Sequence, residues 1–251
     1  MKRSKLILSA AVAVSAVFGI GAASAADLAG KAMPYAAPAP VFSWTGCYVG
    51  VHAGAGVLLD QGFQSQTSSD DRHGVGGLAG GQIGCNYQTG MLVLGIEGEG
   101  FWSGMKVTRD RFGFGIFSNT LVASTTIRNK WDYDIAGRFG VAFDRALVYG
   151  KAGWVAGRFD WNAADVNCGI FCITTQGNAT LDGLLIGLGL EYAFTNNWTT
   201  KFEYDYLGFG SKNVVFTQSC SAFCIPLIST NTQSVSADKH IFKVGVNYKF
   251  F

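Results

Sequence analysis

The side chains that could do chemistry here come in alternating pairs. Glu97 and Glu99 are separated by one glycine, and Asp132 and Asp134 by one tyrosine. Two carboxylates in such proximity could share a proton and act as an acid–base dyad. The basic residues Arg138, Lys151, Lys201, Lys243 and Lys249, with the further acids Glu191, Glu203 and Asp205, fall in segments of the same kind. Mutual ion pairing is therefore the expected fate of these carboxylates. The three histidines, His52, His73 and His240, have no spacing that links them to a serine or cysteine nucleophile. Residues 74–79, GVGGLA, fit a dinucleotide-binding glycine pattern. They follow a charged stretch and open a strand, whereas that pattern needs a preceding strand and a following helix. No enzyme activity is expected, and no cofactor or metal.

Six cysteines offer a second chemistry. Cys168 and Cys172 form one C-x-x-x-C unit, and Cys220 and Cys224 another. Four thiolates could make one zinc site, but an oxidising compartment favours disulfides. Cys47 and Cys85 sit at the start of one expected strand and the end of the next, on the same face. They form a cross-strand disulfide or stay as two unpaired lipid-facing thiols.

The elements that must position these groups are strands. Residues 240–251, HIFKVGVNYKFF, alternate strictly: Phe242, Val244, Val246, Tyr248 and Phe250 are apolar, and Lys243, Gly245, Asn247 and Lys249 lie between them. That is the period of a strand with one apolar and one polar face. Similar patterns predict strands at 45–58, 74–87, 91–107, 127–143, 146–161, 181–194 and 198–210. Tight turns are expected at 88–90, 144–145 and 195–197, and long loops at 59–73, 108–126, 162–180 and 211–237. Every second connection is thus short. An even-stranded meander with tight turns on one side and long loops on the other is the pattern of an outer-membrane barrel. The predicted fold is all-β, an eight-stranded antiparallel up-and-down transmembrane barrel spanning 44–251.

Apolar parities then face lipid and charged parities face the lumen, because a lysine at mid-membrane on the lipid side costs about 2–4 kcal/mol. Glu97, Glu99, Asp132, Asp134, Arg138, Lys151, Glu191, Lys201, Glu203, Asp205, Lys243 and Lys249 are assigned to the lumen. Eight strands leave an interior just wide enough for side chains, so a salt-bridged plug is expected. A narrow or gated channel is the alternative.

The first residues fix the compartment. Lys2, Arg3 and Lys5 precede an apolar run, and Ala23-Ser24-Ala25 offers a cleavage site. Residues 1–25 read as a secretory signal peptide. Residues 26–43, with Pro34, Pro38 and Pro40, read as a periplasmic linker ending at Trp44, a candidate anchor at the membrane's inner rim. Without the signal, 16 basic residues face 17 acidic ones, a net charge of −1. Such a balance excludes a basic field for nucleic acid.

Several stretches resemble one family: 43–54 (SWTGCYVGVHAG), 94–99 (LGIEGE), 136–143 (AGRFGVAF), 147–153 (LVYGKAG), 190–206 (LEYAFTNNWTTKFEYDY) and 244–250 (VGVNYKF). They are similar to the small OmpA-like outer-membrane barrels of alphaproteobacteria, the outer-membrane immunogenic or porin-family proteins. Cys47 departs from the aromatic residue expected at its position. The resemblance implies an abundant surface protein in contact with outer-membrane lipid. It implies a role in envelope integrity, and long extracellular loops that meet host or phage receptors. It also implies that Phe242, Val244, Val246, Tyr248 and Phe250 form the C-terminal signal read by the barrel-assembly machinery. A second alternative implied by the resemblance is hemin or small-hydrophobe binding, with His73 as a loop ligand.

Overall fold

The computed structural model describes residues 42–60, 73–112, 121–165, 171–222 and 229–250. Residues 1–41, with the expected signal peptide and most of the linker, lie outside this set. So do Cys168, Cys224 and the side chain of Cys172.

Nine antiparallel strands are present among the described residues: β1 (Gly46–Asp60), β2 (His73–Thr89), β3 (Leu92–Ser103), β4 (Lys106–Phe112), β5 (Leu121–Phe143), β6 (Ala146–Asp165), β7 (Phe171–Ala193), β8 (Trp198–Ala222) and β9 (Ser229–Lys249). Their order is β3-β2-β1-β9-β8-β7-β6-β5-β4, and β3 also pairs with β5, which closes the sheet into a ring. The ninth strand is a break rather than an extra pass. β3 and β4 are one run interrupted at Gly104-Met105, and both pair with β5. The interruption is stitched to its neighbours by Gly104 N–H to the Gly77 carbonyl, 2.9 Å, and Asn129 N–H to the Met105 carbonyl, 3.1 Å. The chain therefore makes eight passes around the wall.

The three tight connections lie together at one end. Gly90 and Asp144 turn them with φ of 59° and 53°, a conformation glycine adopts freely and aspartate tolerates. The third uses Thr195, whose Oγ1 accepts from the backbone N–H of Asn197 (3.2 Å) and Trp198 (2.9 Å).

At the opposite end the expected long loops are mostly strand. β5, β7, β8 and β9 run for 23, 23, 25 and 21 residues, whereas about 9–11 suffice to cross a membrane. Residues 162–165, 171–180, 211–222 and 229–237, expected as loop, pair across long hairpins. Outward side chains between the two ends are apolar and exposed, such as Val51 at 67%, Leu188 at 67% and Phe242 at 65%. A band of this kind suits hydrocarbon and not water. Ala156 is a local exception: it lies on the outward parity opposite Tyr133 yet is buried.

Candidate functional site

Inside the ring the register gathers the charges at one level. Glu203 pairs with Lys243 across β8 and β9, Glu191 with Lys201 across β7 and β8, and Arg138 with Lys151 across β5 and β6. Three ammonium groups interleave with four carboxylates, all fully buried. Lys201 Nζ lies 2.6 Å from Glu99 Oε1 and 3.3 Å from Glu97 Oε2. Lys151 Nζ lies 2.8 Å from Glu203 Oε1 and 3.1 Å from Glu99 Oε2. Lys243 Nζ lies 2.8 Å from Glu203 Oε1 and 2.7 Å from Asp205 Oδ2, and also contacts Glu99 Oε2.

Arg138 extends this cluster. It donates to Glu191 at 2.7 Å and also to the Tyr48 hydroxyl, and its guanidinium lies 3.9 Å from the centre of the Tyr149 ring. Tyr48 and Tyr149 donate in turn to Glu97 (2.7 Å) and Glu203 (2.6 Å). Amides continue the chain: Asn247 donates to Glu191 at 2.8 Å, Gln82 to Asn247 at 2.7 Å, and His52 Nδ1 meets Gln82 at 2.6 Å. Most of these buried charges are both paired and hydrogen-bonded, the condition under which burial is tolerated; Asp205 is ion-paired to Lys243 and Lys151 but makes no hydrogen bond.

Two assigned residues, Asp132 and Lys249, lie apart from this cluster, and a third, Asp134, sits at its edge as the cross-strand partner of Glu99. Asp132 pairs with Lys239 at 2.5 Å, a separate site that Asn129 completes by donating to Asp132 at 3.1 Å. A bulge at Asn129/Trp131 turns Asn129 inward for this contact. Asp134 is buried, and neither of its carboxylate oxygens has a hydrogen-bond partner. Lys249 points into the turn end, where it donates to the Ser43 carbonyl and lies 4.5 Å from the Phe42 ring centre. It lies three inward positions beyond Lys243 on β9, past Asn247, which still reaches Glu191.

Two apolar clusters cap the charged layer. At the turn end Phe42, Trp44, Val93, Ala142, Leu147, Tyr149 and Ala193 pack together. Trp44 is thus a stopper inside the barrel and not an anchor at its rim: its indole N–H donates to the Asp144 carbonyl at 3.1 Å, and its ring meets Phe42 edge-on at 5.0 Å. Towards the hairpin end, Leu58, Met105, Val155, Phe159, Trp161, Leu207, Phe209 and Ile241 belong to a larger buried cluster. Toward its outer end, as at Phe159 and Trp161, its residues alternate with polar outward ones, the reverse of the pattern in the lipid-facing band.

Sequence reasoning did not name Lys239 or Tyr48 in the interior network. Lys239 shares the parity of Lys243 and Lys249, and Tyr48 that of His52, so parity alone could have found both. Cross-strand glycines make room for such large inward side chains. A Cβ on Gly84 would lie 2.4 Å from the Tyr48 hydroxyl, and one on Gly189 would lie 2.2 Å from Tyr149 Cζ.

The carboxylates of Glu97, Glu99 and Glu203 are close enough to hold a metal. The three lysine ammonium groups already supply the cationic charge there. His52 is buried, His73 is exposed at the start of β2, and the His240 ring meets the Tyr204 hydroxyl at 2.7 Å on the outer face. His73 and His240 lie away from the carboxylate pairs, whereas His52 lies in the lumen within electrostatic reach of Glu99 and is held by Gln82. Cys47 and Cys85 face each other across β1 and β2 and form a disulfide on the outer surface, S–S 2.09 Å. Cys220 is also disulfide-bonded. Phe242, Val244, Val246, Tyr248 and Phe250 all project outward.

A family model, the outer membrane protein beta-barrel domain, matches residues 11–250. A 31 kDa outer-membrane immunogenic protein of Brucella melitensis is 30% identical over 249 residues, covering 94% of this chain and 97% of its own. A 22 kDa outer membrane protein of Rhizobium leguminosarum is 31% identical over 215 residues, covering 84% and 80%. Among solved structures, the outer membrane protein OprG from Pseudomonas aeruginosa superposes with a TM-score of 0.46 at 11% identity, over 82% of this chain and 96% of that one. With the lipid-facing belt and closed ring already described, the chain belongs to the outer membrane protein beta-barrel domain family, and it is an outer-membrane β-barrel protein.

Proposed function

We propose that this protein is a closed surface barrel: it strengthens the envelope and carries its long hairpins as contact sites for host or phage receptors. In this reading the short turns and the preceding linker are periplasmic and the hairpins extracellular. Residues 1–25 are a secretory signal, and the alternating apolar residues Phe242 to Phe250, on β9 and just past it, are read by the barrel-assembly machinery. The observation that carries the proposal is the filled lumen. An apolar stopper, a layer of fully buried ion pairs and a second apolar cluster follow one another along the interior. Ion passage would require breaking contacts that leave buried charges unpaired, at about 3–5 kcal/mol each. The relatives named outer-membrane immunogenic proteins favour surface exposure of the hairpins.

The test is solute flux. The protein is reconstituted into liposomes, and the entry of potassium, glucose and a trisaccharide is followed. Background flux for all three is the expected result. Size-limited flux at single-protein density would overturn the closed reading and make the inward charges the residues of a channel.

A further inference from the structure

The outer face of the barrel carries a cationic patch that the lumen does not use. Lys106 on β4 and Arg128 on β5 are direct cross-strand partners and both exposed. Like charges placed opposite each other repel, and neither has an ion-pair partner among the described residues. The bulge at Asn129/Trp131 brings Lys130 to the same surface, and Arg158 follows on β6 as the partner of Trp131. One acid sits among them: Asp160 lies 2.5 Å from Lys130 and 3.9 Å from Arg158, which also donates to Asn178 at 2.7 Å. Four cations on three adjoining strands thus face one carboxylate.

The patch has a fixed height on the barrel. Trp102 pairs with Trp131, and Trp131 stacks on Tyr133, which meets Trp154 edge-on. These rings are exposed and form the aromatic rim of the apolar band at its hairpin end. Such rims mark the level of lipid head groups. Arg158 lies level with Trp131, Lys130 one residue beyond it, and the Lys106/Arg128 pair further out on β4 and β5, so the cations span the level of the lipid head groups and the water just past it.

We propose that Lys106, Arg128, Lys130 and Arg158 bind the phosphate of an anionic lipid packed against this side of the barrel. A phosphate lying between Lys106 and Arg128 would relieve their repulsion and give both charge-assisted hydrogen bonds. Each cation near a lipid surface contributes about 1 kcal/mol, which is about fivefold in affinity.

The experiment is native mass spectrometry of the detergent-purified protein titrated with bisphosphorylated lipid A, and with phosphatidylcholine as the net-neutral comparator. The wild type binds lipid A in preference to phosphatidylcholine. Lys106→Gln/Arg128→Gln weakens lipid A about 30-fold, and the charge-retaining Lys106→Arg/Arg128→Lys stays within about twofold. Lys212→Gln is the control, since Lys212 lies on β8 and donates to the Thr180 carbonyl at 2.8 Å. It leaves affinity unchanged. The heat-modifiable mobility of each variant on gels establishes that it is folded. Equal affinity of the double variant, an equal loss in Lys212→Gln, or phosphatidylcholine binding as tightly as lipid A would each overturn the proposal. Displacement of the lipid by millimolar inorganic phosphate would show a simple anion site and remove lipid as the occupant.

Discussion

Replacing Lys243 by methionine tests whether the interior is a balanced unit. Lys243 is fully buried and pairs with Glu99, Glu203 and Asp205, the last two at 2.8 and 2.7 Å. Methionine keeps most of the volume and removes the charge. Lys151 and Lys201 then face Glu97, Glu99, Glu203 and Asp205, so the local excess of negative charge rises from one to two. Breaking a buried pair in this way costs about 3–5 kcal/mol, because the carboxylates remain desolvated without their partner. Asp205→Asn on the Lys243→Met background restores the original balance. Apart from Lys243, Asp205 has only Lys151 within reach, at 3.6 Å. The double variant should therefore be less destabilised than the sum of the two single variants, by about 1–3 kcal/mol. Guanidinium unfolding in lipid vesicles, followed by tryptophan fluorescence, gives all four stabilities. A cost below about 1 kcal/mol for Lys243→Met, or strict additivity of the pair, would show that the charges are solvated individually and that the ion-pair account is wrong.

Three further outcomes follow from the same packing. Gly189→Ala pushes a methyl group into Tyr149, which would have to leave Glu203 and the Arg138 guanidinium; a loss of about 1–3 kcal/mol is expected in the same unfolding assay. Cys47→Ser/Cys85→Ser removes a crosslink closing 38 residues, so the temperature at which the barrel loses its compact gel mobility should fall. A loss of up to about 4 kcal/mol is expected in the chain-entropy model, and an unchanged temperature would count against any stabilising role. Phe159→Ala empties the space between Trp161 and Phe209, whose ring centres lie 5.9 and 5.2 Å from its own. It should cost about 3–5 kcal/mol, yet liposome flux should stay at background because the charged layer beneath is intact.

The part of the fold legible in the sequence is the part with a single physical rule. Between the aromatic rims the outside is hydrocarbon, so a polar side chain has one place to go. The parities of Glu97, Lys151, Glu203 and Lys243 read inward for that reason, and all four are buried. Beyond the rims water replaces lipid and the rule inverts. On β6, Trp154 faces outward while Phe159 and Trp161 pack inside, and Arg158 and Asp160, on either side of Phe159, face outward. The strands continue past the membrane boundary, with bulges that shift the alternation, and the meaning of each parity changes there. A reader who expects polar residues inside therefore sees the alternation dissolve at about residue 162 and writes a loop where strands continue. The same inversion hides the apolar cluster, since Val214 and Phe216 lie in a stretch read as the longest loop and are buried. Register was the other missing quantity. Which carboxylate meets which lysine depends on how eight passes shear around a closed ring. Parity puts Lys249 in the interior with Lys243, and only the register along β9 separates the one that seals the turn end from the one that holds the centre.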